Sequence, residues 1–100
     1  MHDDLATPAL KAISKTAFHS DWMLPLLLAI IESPGDVVAL KSLASRLQVD
    51  SGTLSKGFHD LVRLGVLSEE KVEGQRTKPH AVLRDSKLWD WATELATRAD

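Results

Sequence analysis

Apolar side chains recur at helical spacing through most of the chain. Thr7-Pro8 reads as an N-cap followed by proline in the first helical turn, where its missing N–H costs nothing. Ala9, Leu10, Ile13, Ala17 and Phe18 then predict a first helix over 8–18. His19-Ser20-Asp21 interrupts it and offers caps for a second helix through Leu24, Leu27, Leu28 and Ile31, stopped by Ser33-Pro34-Gly35. Pro25 is tolerated only near a helix start, which puts that start between Asp21 and Pro25. Apolar residues nearly surround this segment, as in a central buried helix. Asp36-Val37-Val38 reads as a short extended link or a cap. Leu40, Leu43, Ala44 and Leu47 form an i, i+3, i+4, i+7 stripe with Lys41, Ser42, Ser45 and Arg46 off it.

Gln48-Val49-Asp50 leaves only a short break before the next periodic run, and Asp50 or Ser51 is placed to cap it. In that run Leu54, Phe58 and Leu61 share one face, with Leu64 continuing it, while Gly52, Ser55, Lys56, His59 and Arg63 lie on the other. Gly65 suits a left-handed helix terminus. Val66–Val72 and Pro79–Leu83 are two strand candidates joined by Glu73-Gly74-Gln75-Arg76-Thr77-Lys78. Asp85 or Ser86 caps a last helix whose expected inner face is Leu88, Trp91, Ala92, Leu95 and Ala99, with Trp89 pointing elsewhere. Helix, helix, helix–short turn–helix, hairpin, helix is the plan of a winged helix-turn-helix: mostly α with a small β-hairpin wing.

Composition narrows the function classes. The 100 residues carry 44% hydrophobic and 26% charged side chains, the balance of an ordinary folded domain. We expect one domain over 1–100: N-terminal helices over 1–35, helix-turn-helix and wing over 36–84, and a C-terminal helix over 85–100. The absence of cysteine excludes disulfides, thiolate zinc sites and cysteine nucleophiles. The most apolar run, Trp22 to Ile31, is too short to span a bilayer, and the acidic start MHDDLATP is unlike a secretory signal, so a cytoplasmic protein is expected. Four scattered histidines give no paired metal spacing, and no nucleophile elbow or phosphate loop is present; neither an enzyme, a metal nor a cofactor is expected.

The net charge of −2 hides a segregation. Residues 41–84 hold eight cations against five carboxylates, whereas 1–40 and 85–100 are acidic. A mildly basic middle between acidic ends fits a local face for nucleic acid, not a general coating of it.

The stretch LKSLASRLQVDSGTLSKGFHDLVRLGVLSEEKVEGQRTKPHAVL, residues 40–83, resembles the winged helix-turn-helix of MarR- and ArsR-type transcription regulators. The match rests on LAxxLxV, a polar turn, TLSK, LxxLGVL and a charged wing. A departure follows the second wing strand, where Arg84-Asp85-Ser86-Lys87 replaces a threonine–glycine motif. The resemblance implies a homodimeric repressor that binds an inverted repeat in double-stranded DNA, with the recognition helix in the major groove and the wing in the minor groove.

Ser51, Gly52, Thr53, Ser55 and Lys56 then face base edges, and Lys56 donates to guanine or to phosphate. His59 and Arg63 continue toward the DNA backbone, and Ser42 approaches it from the preceding helix; Arg46 either joins Ser42 or forms a structural ion pair. In the wing, Arg76 is the minor-groove residue and Lys78 a phosphate contact. Three tryptophans in so short a chain point to a second copy as partner. The expected dimer interface involves Leu10, Ile13, Trp22, Leu88, Trp89, Trp91 and Leu95. No residue specifies a small-molecule effector. The alternative function is a winged helix that docks a protein and does not bind DNA directly.

Overall fold

Thr7 accepts the Leu10 N–H on its hydroxyl and starts α1 (Pro8–Phe18) with proline in the first turn. In the computed structural model, which describes residues 5–69 and 79–98, α1 ends on His19 at φ 60° and the chain turns directly into α2 (Met23–Glu32). No side chain of its own caps α2. Ser14 does so from α1: its fully buried hydroxyl donates to the Ser20 carbonyl and accepts the Leu24 N–H at 2.8 Å. Pro25 sits in the first turn of α2, where it leaves no intrahelical hydrogen bond unmade. Leu24 through Ile30 are all buried, which makes α2 the central helix.

Val37–Val38, expected as a link or a cap, is a strand, β1. After it come α3 (Leu40–Leu47), α4 (Ser51–Arg63), β2 (Leu67–Glu69), β3 (His80–Val82) and α5 (Lys87–Thr97). The sheet order is β1-β3-β2, both pairings antiparallel, with Val37 opposite Ala81 and Leu67 opposite Val82. The two wing strands are therefore extended by a third, from the link between α2 and α3. Together the five helices and three-stranded antiparallel sheet make a winged-helix domain.

Two sequence expectations about the core are corrected. Leu64 does not continue the buried face of α4: it lies beyond the last helical residue and is 69% exposed. On α5 the inward side is centred nearer Trp89 than Trp91. Trp89 is 6% exposed and its indole N–H donates to the Leu83 carbonyl at 2.6 Å, whereas Trp91 is 45% exposed. The loop before α5 supplies the polar partner that lets the indole bury.

Arg84, just after β3, makes a long-range polar tie to the end of α2 and the loop after it. Its guanidinium donates to the carbonyls of Ile30 (3.0 Å), Ser33 (3.1 Å) and Gly35 (2.6 Å), and lies 3.8 Å from the Asp36 carboxylate. Ile30 lies in the last turn of α2, and its carbonyl also accepts the Ser33 N–H at 3.1 Å.

Candidate nucleic-acid interface

The helix-turn-helix is built by α3 and α4. Gln48 closes α3 in the left-handed region at φ 59°, and the Val49 N–H reaches back to the Ala44 carbonyl at 3.0 Å. Asp50 then opens α4 through its backbone carbonyl, which accepts the Thr53 N–H at 3.0 Å; its carboxylate makes no capping bond. Leu54, Phe58 and Leu61 fix α4 to the core. Gly57 lies directly over α2: a Cβ there would be 3.3 Å from Leu26 Cδ2 and 3.5 Å from Met23 Cε. Phe58 also meets His80 of β3 edge to face, ring centroids 4.7 Å apart, which ties the base of the wing to α4.

With that face anchored, the opposite one projects to solvent. Gly52, Thr53, Lys56, His59 and Arg63 are exposed, and Ser51 and Ser55 are half-buried at the flanks. A Cβ added to Gly52 would meet nothing, so its backbone is open to a close approach from outside. Ser42 is exposed on α3, in a shallow groove of about 270 Å³ with Ser33, Pro34, Val37, Arg46 and Pro79. Arg46 resolves to an ion pair with Glu32 of α2. Arg76 and Lys78, the wing residues singled out in the sequence, lie outside the described residues.

The positive charge of this face is tempered. Lys56 Nζ lies 3.7 Å from the Asp60 carboxylate one turn along α4. Arg46 and Arg84 are paired as well, while Lys41 and Arg63 have no carboxylate within pairing distance among the described residues. Asp60 was not among the sequence-predicted site residues, although its spacing of four from Lys56 is a legible pairing signal. Lys56, Thr53 and Asp60 also border a cleft of about 330 Å³ facing the corner between α1 and α2, with Phe18, His19 and Trp22 on its far side.

The residues expected at a dimer interface divide. Leu10 and Trp89 are largely buried within the protomer itself. Ile13, Trp22, Leu88 and Leu95 are partly buried against the same core. Trp91 remains at the surface, edge-on to Phe18 of α1 with ring centroids 5.1 Å apart. Lys11 Nζ sits 4.4 Å from the Trp22 ring centroid, an aromatic–cation contact on the same side of α1 and α2. Among the described residues, no group of three His, Asp or Glu could hold a metal ion, and no helix is long and apolar enough to cross a membrane.

The architecture and the projecting second helix define the winged helix-turn-helix class. Within it, the fold is similar to the crystal structure of a MarR transcriptional regulator from Methanosarcina mazei Go1, with a TM-score of 0.65 and 18% sequence identity. The likeness takes in 91% of this chain and 66% of that one, so this chain spans about two thirds of its neighbour's length. No protein-family model and no curated relative matches the sequence.

Proposed function

We propose that this protein is a sequence-specific, double-stranded DNA-binding transcriptional regulator, acting in the cytoplasm as a homodimeric repressor on an inverted repeat. The observation that carries the reading is α4: three core anchors hold it, and its outer face offers Gly52, Thr53, Lys56, His59 and Arg63. Such a helix enters the major groove with its N-terminal residues against base edges. Lys56, Thr53 and Ser55 read or position there. His59, Arg63 and Ser42 approach phosphates, Arg76 enters the minor groove, and Lys78 binds the adjoining phosphate. The likeness to a MarR transcriptional regulator supports the same reading. Dimerisation uses the outer side of α1 and α5, with Trp91 as its exposed aromatic anchor.

Fluorescence anisotropy against labelled duplexes tests this. One probe carries the DNA upstream of the protein's own gene and the other a random sequence. Binding is expected to prefer the upstream duplex and to weaken at least tenfold between about 50 and 200 mM salt. Lys56→Ala should lower affinity about fivefold or more. Absence of salt-dependent binding to either duplex, with Lys56→Glu indistinguishable from wild type, would overturn the reading. It would favour a protein-docking domain using the Trp91 surface.

A further inference from the structure

Asp60 is a carboxylate on the helix proposed to read DNA, 39% exposed and one turn from the single lysine of that helix, itself 92% exposed. A carboxylate in such a place opposes association with a polyanion, and an exposed i, i+4 pair contributes too little stability to explain it as a structural staple. From this juxtaposition we infer that Asp60 is a specificity-determining residue: it positions Lys56 and suppresses its use on phosphates of arbitrary sequence. The inference rests on the DNA-binding reading above.

The two kinds of complex differ in whether Lys56 can keep Asp60 while it binds. Non-specific binding consists almost entirely of phosphate neutralisation, and it is the same on every sequence. With its ammonium 3.7 Å from a carboxylate, Lys56 is already partly neutralised, and a solvated phosphate replaces that partner at little gain. A guanine edge in a groove from which water is excluded offers two acceptors in fixed positions, and the three donors of the ammonium let Lys56 bind that edge while keeping Asp60. Asp60 meanwhile repels nearby phosphates whatever the sequence. Both effects act in the non-specific complex. In the specific complex Lys56 keeps its Asp60 partner, so only the repulsion is felt there. Asp60 therefore lowers non-specific affinity more than specific affinity and widens the ratio between them, the quantity that matters among many competing sites. Arg46, paired with Glu32 on the preceding helix, shows the same restraint of positive charge in the helix-turn-helix.

The test uses the full chain, the isosteric Asp60→Asn variant, and Lys56→Gln alone and combined with it. The probes are a random duplex and a duplex enriched from a randomised pool by wild-type binding. Asp60→Asn should bind the random duplex about two- to fivefold tighter and steepen its salt dependence by about one released ion. The enriched duplex should gain less, so discrimination falls. In the Lys56→Gln background the gain on random DNA should shrink by more than half, a dependence that simple loss of a surface charge does not produce. Equal tightening on both duplexes, no tightening on random DNA, or an undiminished gain without Lys56 would each overturn the inference while leaving DNA binding intact. Failure of the wild type to bind any duplex in a salt-dependent way would remove the DNA-binding reading, and this inference with it.

Discussion

The Arg84 guanidinium collects three carbonyls from the end of α2 and the loop after it, and faces Asp36 across 3.8 Å. A planar fork suits this task because it donates in several directions at once without moving, which a lysine ammonium on a flexible stem does not match. Arg84→Met should lower stability by about 2–4 kcal/mol, and Arg84→Lys should recover less than half of that, both read from urea unfolding curves. A loss under about 0.5 kcal/mol would mean that water replaces the arginine without penalty. Ser14 makes a comparable point with one atom: a hydroxyl on α1 completes the first turn of α2, so a polar side chain is at home among leucines. Neither role is visible in a hydropathy pattern, because each depends on carbonyls or amides whose position only the folded chain defines.

Along single elements the sequence is most legible where one periodicity dominates. The stripes of α3 and α4 identified the anchors Leu43, Ala44, Leu47, Leu54, Phe58 and Leu61, all of which are buried. The outward side of α4, and with it most of the candidate interface, followed from the same pattern. On α5 the pattern pointed to Trp91, although Leu88, Ala92 and Leu95 accept either tryptophan as a neighbour on the inner face. The Leu83 carbonyl decides for Trp89, and that bond crosses from loop to helix. β1 was missed as a strand because two residues show no period; its pairing partner is some forty positions away. Asp60 is legible by its spacing of four from Lys56, but a carboxylate carries no signal of attraction to DNA. The two glycines of α4 test its mounting. Gly57→Val should destabilise by about 1–3 kcal/mol through overpacking on Leu26 and Met23. Gly52→Ala meets open space and should leave stability unchanged or raise it by up to about 1 kcal/mol, since alanine prefers helix. Thermal melts of both variants check the contrast; equal effects would mean that α4 does not press on α2 at Gly57.

For the whole molecule, the fold leaves a clear division of labour among the described residues. α2 fills the middle, α3 and α4 present the basic side, and α1 and α5 bring Phe18 and Trp91 together at the surface. If that surface joins two copies, sedimentation equilibrium should give twice the 11.0 kDa of one chain, and Trp91→Glu should shift the population to monomer at micromolar concentration. The same variant should weaken DNA binding about tenfold or more, because two linked half-sites act together and one alone does not. An unchanged mass for Trp91→Glu would move the interface elsewhere. The reach of Arg84 back to Ile30 also bears on how the chain is made. A ribosome adds about 5–20 residues per second, so the end of α2 emerges several seconds before the arginine that ties it to β3. During that interval the most apolar helix of the protein lacks its terminal seal, the third strand of its sheet and its α5 neighbour. The fold closes only when the last fifth of the sequence, with Arg84 and α5, arrives.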